Sequence, residues 1–281
     1  MITFHKYHGA GNDFIMINNL DKSIFLTPED ISLYCDRNFG IGADGIILLE
    51  LSTEADLSRR SEIMKADCFM NYYNSDGSLA EMCGNGARCT AKFYLKETGK
   101  NLKEINLETR DGIKNIKVND DDTYSVDMGA PIFESADFPS ETLKLEGFDF
   151  NCVSMGNPHA VTIVEDLNKI DLKTIGPKIE NNENFPNKIN VEFVQKIMSD
   201  YYKVKVWERG CGATLACGTG ACAVFAVLSV AYDQINKLSP RHGLGEEITL
   251  EFPGGKLYLS KNEQDHVILR GPATFVFEGK I

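Results

Sequence analysis

The chain has no excess of basic residues: 41 Asp and Glu stand against 29 Lys and Arg, a formal net charge of −12. Nucleic-acid binding draws on a basic footprint, so that class is excluded; the acidic surface mainly aids solubility. Long apolar runs are also missing. The longest, Ala221–Leu228, falls far short of the roughly 18 residues a membrane helix needs, so no membrane partner is expected. Met1-Ile-Thr-Phe-His-Lys6 lacks the basic and then apolar order of an export signal, which makes the expected location cytoplasmic. Eight cysteines include no Cys-x-x-Cys, and neither glycine-rich cysteine cluster has Cys/His metal spacing. Free thiols and no metal site are therefore expected.

What the chain does contain is a repeat. Ala80-Glu-Met-Cys83-Gly-Asn-Gly-Ala-Arg-Cys89 returns as Leu215-Ala-Cys217-Gly-Thr-Gly-Ala-Cys222, 134 residues later. Gly11-Asn-Asp-Phe-Ile-Met-Ile17 matches Gly156-Asn-Pro-His-Ala-Val-Thr162, and Gly45-Ile-Ile-Leu-Leu-Glu50 matches Asn190-Val-Glu-Phe-Val-Gln195, both 145 residues on. Ile105–Gly112 answers Ile248–Gly255 at an offset of 143. Four landmarks in one order mean a duplicated large unit, not a short-period solenoid. With 281 residues, 43% of them apolar and 25% charged, each half is long enough to bury its own core.

The first half reads as strands Thr3–Tyr7 and Phe14–Ile17 about a Gly9–Asn12 turn, then a helix from a Thr27 cap to about Asn38. Strand Ile46–Leu51, a charged solvated excursion Ser52–Lys65 and strand Cys68–Tyr73 precede the Cys83 helix, which ends near Gly99. Three alternating strands between Ile105 and Asp127 follow. The second half repeats this order, and Thr274–Phe277 is left to cross back to the first. The predicted fold is α+β: two pseudo-symmetric domains, each a mostly antiparallel sheet wrapped around a central α-helix. Their bounds are 1–128, with 272–281 crossing back, and 129–271.

A cysteine before Gly-x-Gly-Ala at a helix start sits where the helix dipole favours a thiolate and where close-lying N–H groups hold an anion. Two such thiols facing each other suit removal of a proton from one face of a carbon and delivery to the other. The N–H groups of Gly84, Asn85, Gly218 and Thr219 would stabilise the charge that develops on an α-carboxylate. One thiolate and one thiol near neutral pH would exchange roles with reaction direction. Cys35, Cys68, Cys89, Cys152 and Cys222 read instead as small apolar core residues. Glu208-Arg209 offers a carboxylate and a guanidinium to a zwitterion, although such a pair is also an ordinary surface ion pair. Asn74 and Glu208 each lie nine residues before their cysteine. Asn12 and Asn157 are repeat mates in Gly-Asn turns, and His159 either tunes a thiol or is an ordinary polar residue.

His8-Gly-Ala-Gly-Asn-Asp-Phe14, Asn74-Ser-Asp-Gly-Ser78, Met82-Cys-Gly-Asn-Gly-Ala-Arg88, Met155-Gly-Asn-Pro-His159, Glu208-Arg-Gly210 and Ala216-Cys-Gly-Thr-Gly-Ala221 together resemble the diaminopimelate epimerase family from end to end. The resemblance implies a PLP-independent, cofactor-free isomerase that interconverts LL- and meso-diaminopimelate in bacterial lysine and peptidoglycan-precursor biosynthesis. It implies Cys83 and Cys217 as the acid/base pair, with Gly84, Asn85, Gly218 and Thr219 holding the reacting carboxylate. Asn12, Asn74, Asn157, Asn190, Glu208 and Arg209 would recognise substrate, and His159 and Glu208 would set the thiol pKa values. The partner is then a small amino acid, and a homodimer is compatible. Two positions depart from the family pattern: Gly45, where some members carry a substrate-contacting side chain, and Ala213, where many have an acid. A proline-type racemase on the same architecture and a thiol-redox protein are the alternatives.

Overall fold

The computed structural model describes residues 1–52, 66–236 and 247–281. The expected charged excursion lies outside the described residues from 53 to 65. Contacts divide the chain into two units, Met1–Val126 with Gly271–Ile281, and Asp127–Arg270.

Unit 1 opens on β1 (Thr3–Gly9) and β2 (Asn12–Asn18), an antiparallel pair joined by Ala10 and Gly11 at φ 52° and 86°. Positive φ at both central positions is the turn whose twist suits a two-residue hairpin. Helix α1 (Pro28–Cys35) crosses over to β3 (Gly45–Glu50), which is parallel to β2. Then β4 (Cys68–Asn74) returns antiparallel to β3, and α2 (Gly84–Thr98) crosses to β5 (Glu104–Thr109), parallel to β4. The antiparallel strands β6 (Gly112–Val118) and β7 (Thr123–Asp127) complete this run.

Unit 2 starts with the hairpin β8 (Leu143–Leu145) and β9 (Phe148–Ser154), and β10 (Pro158–Val164) pairs antiparallel to β9. A 3-10 turn, Leu167–Lys169, and α3 (Leu172–Glu180) lead to β11 (Asn190–Lys196), parallel to β10. Antiparallel β12 (Tyr201–Glu208) and the short β13 (Gly212–Thr214) precede α4 (Gly218–Asn236). The chain closes this unit with β14 (Ile248–Phe252), β15 (Gly255–Lys261) and β16 (Val267–Pro272). The final strand, β17 (Thr274–Lys280), pairs antiparallel to β1, so the C-terminal segment does return to the first unit.

The duplication is visible in strand register. Phe14 lies opposite Gly45 in unit 1, and His159 lies opposite Asn190 in unit 2. Cys68 opposite Leu107 repeats as Tyr202 opposite Leu250. The sequence offset falls between these two pairs because 17 residues join β3 to β4 and only four join β11 to β12.

Each central helix is enclosed. In α2 every residue from Gly84 to Ala91 is buried, and the helix packs against β1 to β6. It ends on Gly99 at φ 66°, a left-handed cap without a side-chain penalty. In α4, Ala221 to Leu228 are all buried, and each Val, Leu and Phe side chain within that run contributes roughly 1.5–3 kcal/mol by leaving water. Helix α1 starts as expected on the Thr27–Asp30 capping box. It stops at Cys35, short of the expected Asn38. Asp36 turns extended, and its Oδ1 accepts the N–H groups of Asn38 and Phe39, both at 2.7 Å. That side chain gives the backbone an alternative to another helical turn.

Candidate active site

In unit 1, Cys83 is the N-cap of α2, and its sulfur accepts the Gly86 N–H at 3.5 Å. The Gly84 and Asn85 N–H groups belong to the first turn, where helices have no internal acceptors. A side chain at position 86 would come within 3.0 Å of Ile47 Cδ1, so glycine lets the helix start lie close to β3. The Cys83 thiol donates to Asn12 Oδ1 at 3.5 Å, and Asn85 Nδ2 donates to the same oxygen at 3.2 Å. Asn85 is itself held by the fully buried Arg88, whose Nη2 donates to Asn85 Oδ1 at 2.6 Å and whose Nη1 donates to Gly84 O at 3.1 Å. Asn74 ends β4 opposite Gly45, with its Nδ2 donating to Ser78 Oγ at 3.0 Å. Gly45 has no room for a side chain: a Cβ would lie 2.3 Å from Tyr73 O and 2.6 Å from Tyr72 Cε2.

In unit 2, the Cys217 sulfur accepts the Gly220 N–H at 3.3 Å and lies 3.4 Å from Thr219 Oγ1. Gly218 and Thr219 open α4 as Gly84 and Asn85 open α2. Cys217 is buried, unlike the half-buried Cys83. The sequence led us to expect a helix start to lower such a thiol. Here burial, then the nearby Glu208 and Glu192 carboxylates, push the Cys217 thiol well up from its ordinary value and outweigh the Thr219 and Gly220 hydrogen bonds. Glu208, hydrogen-bonded to Cys217 and accepting from Thr214 Oγ1, is also raised, chiefly by burial of its carboxylate end.

His159 is fully buried, with Nδ1 2.7 Å from Glu192 Oε1 and Nε2 3.0 Å from Asn157 Oδ1. A carboxylate only accepts, so Nδ1 carries the proton on that side. Asn190 sits inside the fold: its Nδ2 donates to Pro158 O at 2.8 Å and its Oδ1 accepts the Arg209 N–H at 2.9 Å. Arg209 is exposed, with Nη1 on Asn187 O at 3.1 Å. Ala213 is exposed on β13, opposite Trp207.

The structure thus brings Asn12, Gly84 and Asn85 to Cys83. In unit 2 it brings Glu208 and Thr219 to Cys217, pairs Asn157 with His159, and pairs Asn190 with Arg209. Four supporting residues escaped the sequence reading: Asp44, Arg88, Glu180 and Glu192. Glu180 accepts Trp207 Nε1 at 2.7 Å and Gly210 N–H at 2.9 Å, so it holds the Glu208–Gly210 turn. Glu192 did leave a signal, an acid in the middle of an apolar strand. Cys35, Cys89 and Cys152 behave as core residues, burial pushing each thiol up to about 12.

Two units of like topology, each with a cysteine at the start of its enclosed helix, define a duplicated α+β fold. A solved hydroxyproline epimerase from Agrobacterium vitis shares it with a TM-score of 0.66 at 13% identity, over 99% of this chain and 91% of that one. The chain belongs to the diaminopimelate epimerase family, whose model matches residues 4–134 and 151–276. A diaminopimelate epimerase of Trichodesmium erythraeum is 42% identical over 294 residues, 99% of both chains. One of Nostoc punctiforme is 42% identical over 299 residues, 100% of this chain and 99% of that one.

Proposed function

We infer that this chain is a cofactor-independent isomerase that interconverts LL- and meso-diaminopimelate in lysine and peptidoglycan-precursor biosynthesis. The full-length family match supports the substrate. The observation that carries the chemistry is the duplicated thiol, Cys83 and Cys217, each hydrogen-bonded to an N–H of its own helix start. One sulfur, as thiolate, takes the α-proton and becomes a thiol. The other gives its proton to the opposite face of the same carbon, and the bond to hydrogen is remade with inverted configuration.

The α-proton is far less acidic than a thiol, so the intermediate charge must be spread into the substrate carboxylate. The first-turn N–H groups of Gly84, Asn85, Gly218 and Thr219 are the donors suited to it. Asn12, Asn74, Asn157, Asn190, Glu208 and Arg209 then recognise the substrate's amino and carboxylate groups, chiefly at the non-reacting end. Asn190 acts by holding Arg209 in place, since both ends of its amide are on backbone. His159 and Glu208 set the thiol protonation. We place the enzyme in the cytoplasm, with no nucleic-acid or membrane partner. The exposed Phe275, Val276 and Phe277 of β17 support a second copy of the chain as partner, which sedimentation tests.

Conversion of LL-diaminopimelate, L-proline and L-glutamate is followed side by side in heavy water. Deuterium at the α-carbon of diaminopimelate alone is the expected result. Exchange into proline at a comparable rate makes the proline-type reading correct, and exchange into none of them favours the thiol-redox reading.

A further inference from the structure

Glu192 stands in β11 among buried apolar neighbours, and it is itself fully buried. One carboxylate oxygen meets His159 Nδ1; the other, Oε2, has no hydrogen-bond partner among the described residues. An unpaired oxygen on a buried carboxylate is costly, and the fold does not require it. The repeat mate of Glu192 is Ile47, which fills the corresponding space in unit 1. Ile47 Cδ1 lies 3.0 Å from where a Gly86 side chain would begin, and Glu192 Oε1 lies 2.5 Å from the same point at Gly220. The helices differ in the opposite sense. Arg88 places a buried guanidinium one turn beyond Cys83, and its repeat mate is Cys222, an uncharged residue. Carboxylates therefore stand beside Cys217, whereas the charge buried in the Cys83 helix is a guanidinium held by Gly84 O and Asn85 Oδ1.

We propose that Glu192 is a positioning residue that keeps Cys217 in its proton-bearing form, aligning His159 through Nδ1 and setting a second buried carboxylate beside the Cys217 helix start. In the resting enzyme Cys217 is then the thiol, and Cys83, whose thiol donates to Asn12 Oδ1 at rest, is the sulfur that ionises to start a turnover. The groups that act on Cys217 are Glu208 from β12, Glu192 from β11 and the Thr219 and Gly220 donors of its own helix; His159 from β10 acts on Glu208. Both carboxylates oppose ionisation of the thiol. In turnover from this state, the Cys83 sulfur gains the α-proton and the Cys217 sulfur loses its own to the inverted carbon. The charge has then moved from one sulfur to the other, and the reverse turn or exchange with solvent restores it.

The catalytic meaning rests on the two-thiol reading above, but alkylation needs no turnover, so the test below stands if that reading fails. Wild type, Glu192→Gln and Glu192→Met are pulsed with iodoacetamide from pH 5 to 10, and modified peptides are quantified by mass. Glutamine keeps the acceptor for His159 and removes the charge; methionine serves if the glutamine variant does not fold. In wild type, Cys83 should react at lower pH than Cys217. In the variant, Cys217 labelling at pH 7 should rise about tenfold while the Cys83 profile stays in place. The proposal is overturned if the Cys217 profile of a folded variant coincides with wild type, if both cysteines shift together, or if wild-type Cys217 reacts before Cys83.

Discussion

Asn12 Nδ2 donates to Asp44 Oδ2 at 2.6 Å, and this bond decides which end of the amide meets Cys83. A carboxylate cannot donate, so the amide nitrogen must face Asp44 and the oxygen must face the thiol and Asn85. Asp44 also accepts from Asp13 N–H at 3.1 Å and from Arg37 Nη2 at 2.7 Å, which leaves it little freedom. Asp44→Ala should let the amide turn over and cut kcat/KM by roughly ten- to hundredfold, as misplacement near a reacting group does. Diaminopimelate turnover with a melting curve as control checks this. Wild-type efficiency in the folded variant removes Asp44 from the account.

Cys83→Ala and Cys217→Ala should each lower LL-to-meso turnover by at least about a hundredfold, because each face of the carbon needs its own proton carrier. Both variants should fold, since alanine leaves the Gly86 and Gly220 backbones as they are. Near-normal turnover by either one rules out a two-thiol reaction.

How much of this was legible in the residues differs from element to element. The duplicated helices were, because Gly-x-Gly-Ala followed by an apolar run marks both start and burial. The β8–β9 hairpin was not picked out, although Glu146 and Gly147 form its turn at φ 49° and 87° between alternating apolar residues. Strand β13 has only three residues and no pattern to read. Arg88 was part of the quoted motif, yet helical spacing says nothing of whether a guanidinium turns inward to Gly84 O and Asn85 Oδ1. The raised Cys217 thiol was out of reach for a similar reason. The helix dipole is local in sequence, while the carboxylates that oppose it come from β11 and β12.

Gly45 is a packing requirement. A methyl at this position meets backbone oxygen at 2.3 Å, which side-chain rotation cannot relieve. Gly45→Ala should cost about 1–3 kcal/mol of stability, the range for overpacking. Urea unfolding measures it, and an unchanged midpoint would show that β3 and β4 part easily.

Glu208 carries its pH effect into stability. Its folded-state value lies above the ordinary 4.5, so the folded chain holds a proton that the unfolded chain has released. The stability tied to that proton is complete below pH 4.5 and is lost as pH rises through the higher folded value. Cys217, raised from 9.0, adds a second decline above pH 9. Glu208→Gln should flatten the first decline and keep the second. Urea midpoints in steps from pH 4 to 10 test this, and a wild type that gains on the variant between pH 5 and 7 would reverse the sign.

Arg209 is exposed and packs in neither core, so Arg209→Met should keep the melting temperature while losing most of its kcat/KM for diaminopimelate. One charge-assisted hydrogen bond, worth roughly 1.5–3 kcal/mol, corresponds to a loss of about ten- to a hundredfold. Lysine, which lacks the distal carboxylate, should be a very poor substrate for wild type. Equal use of lysine and diaminopimelate would take the binding role away from Arg209.

The most direct measurement is the position of deuterium at early times, when LL-diaminopimelate begins to react in heavy water. With one thiol removing the proton and another, already exchanged, delivering its own, meso product should carry one deuterium at the inverted carbon. Recovered LL substrate should carry none. Deuterium appearing in recovered substrate as fast as in product would mean that one group both takes and returns the proton, which contradicts the two-thiol account.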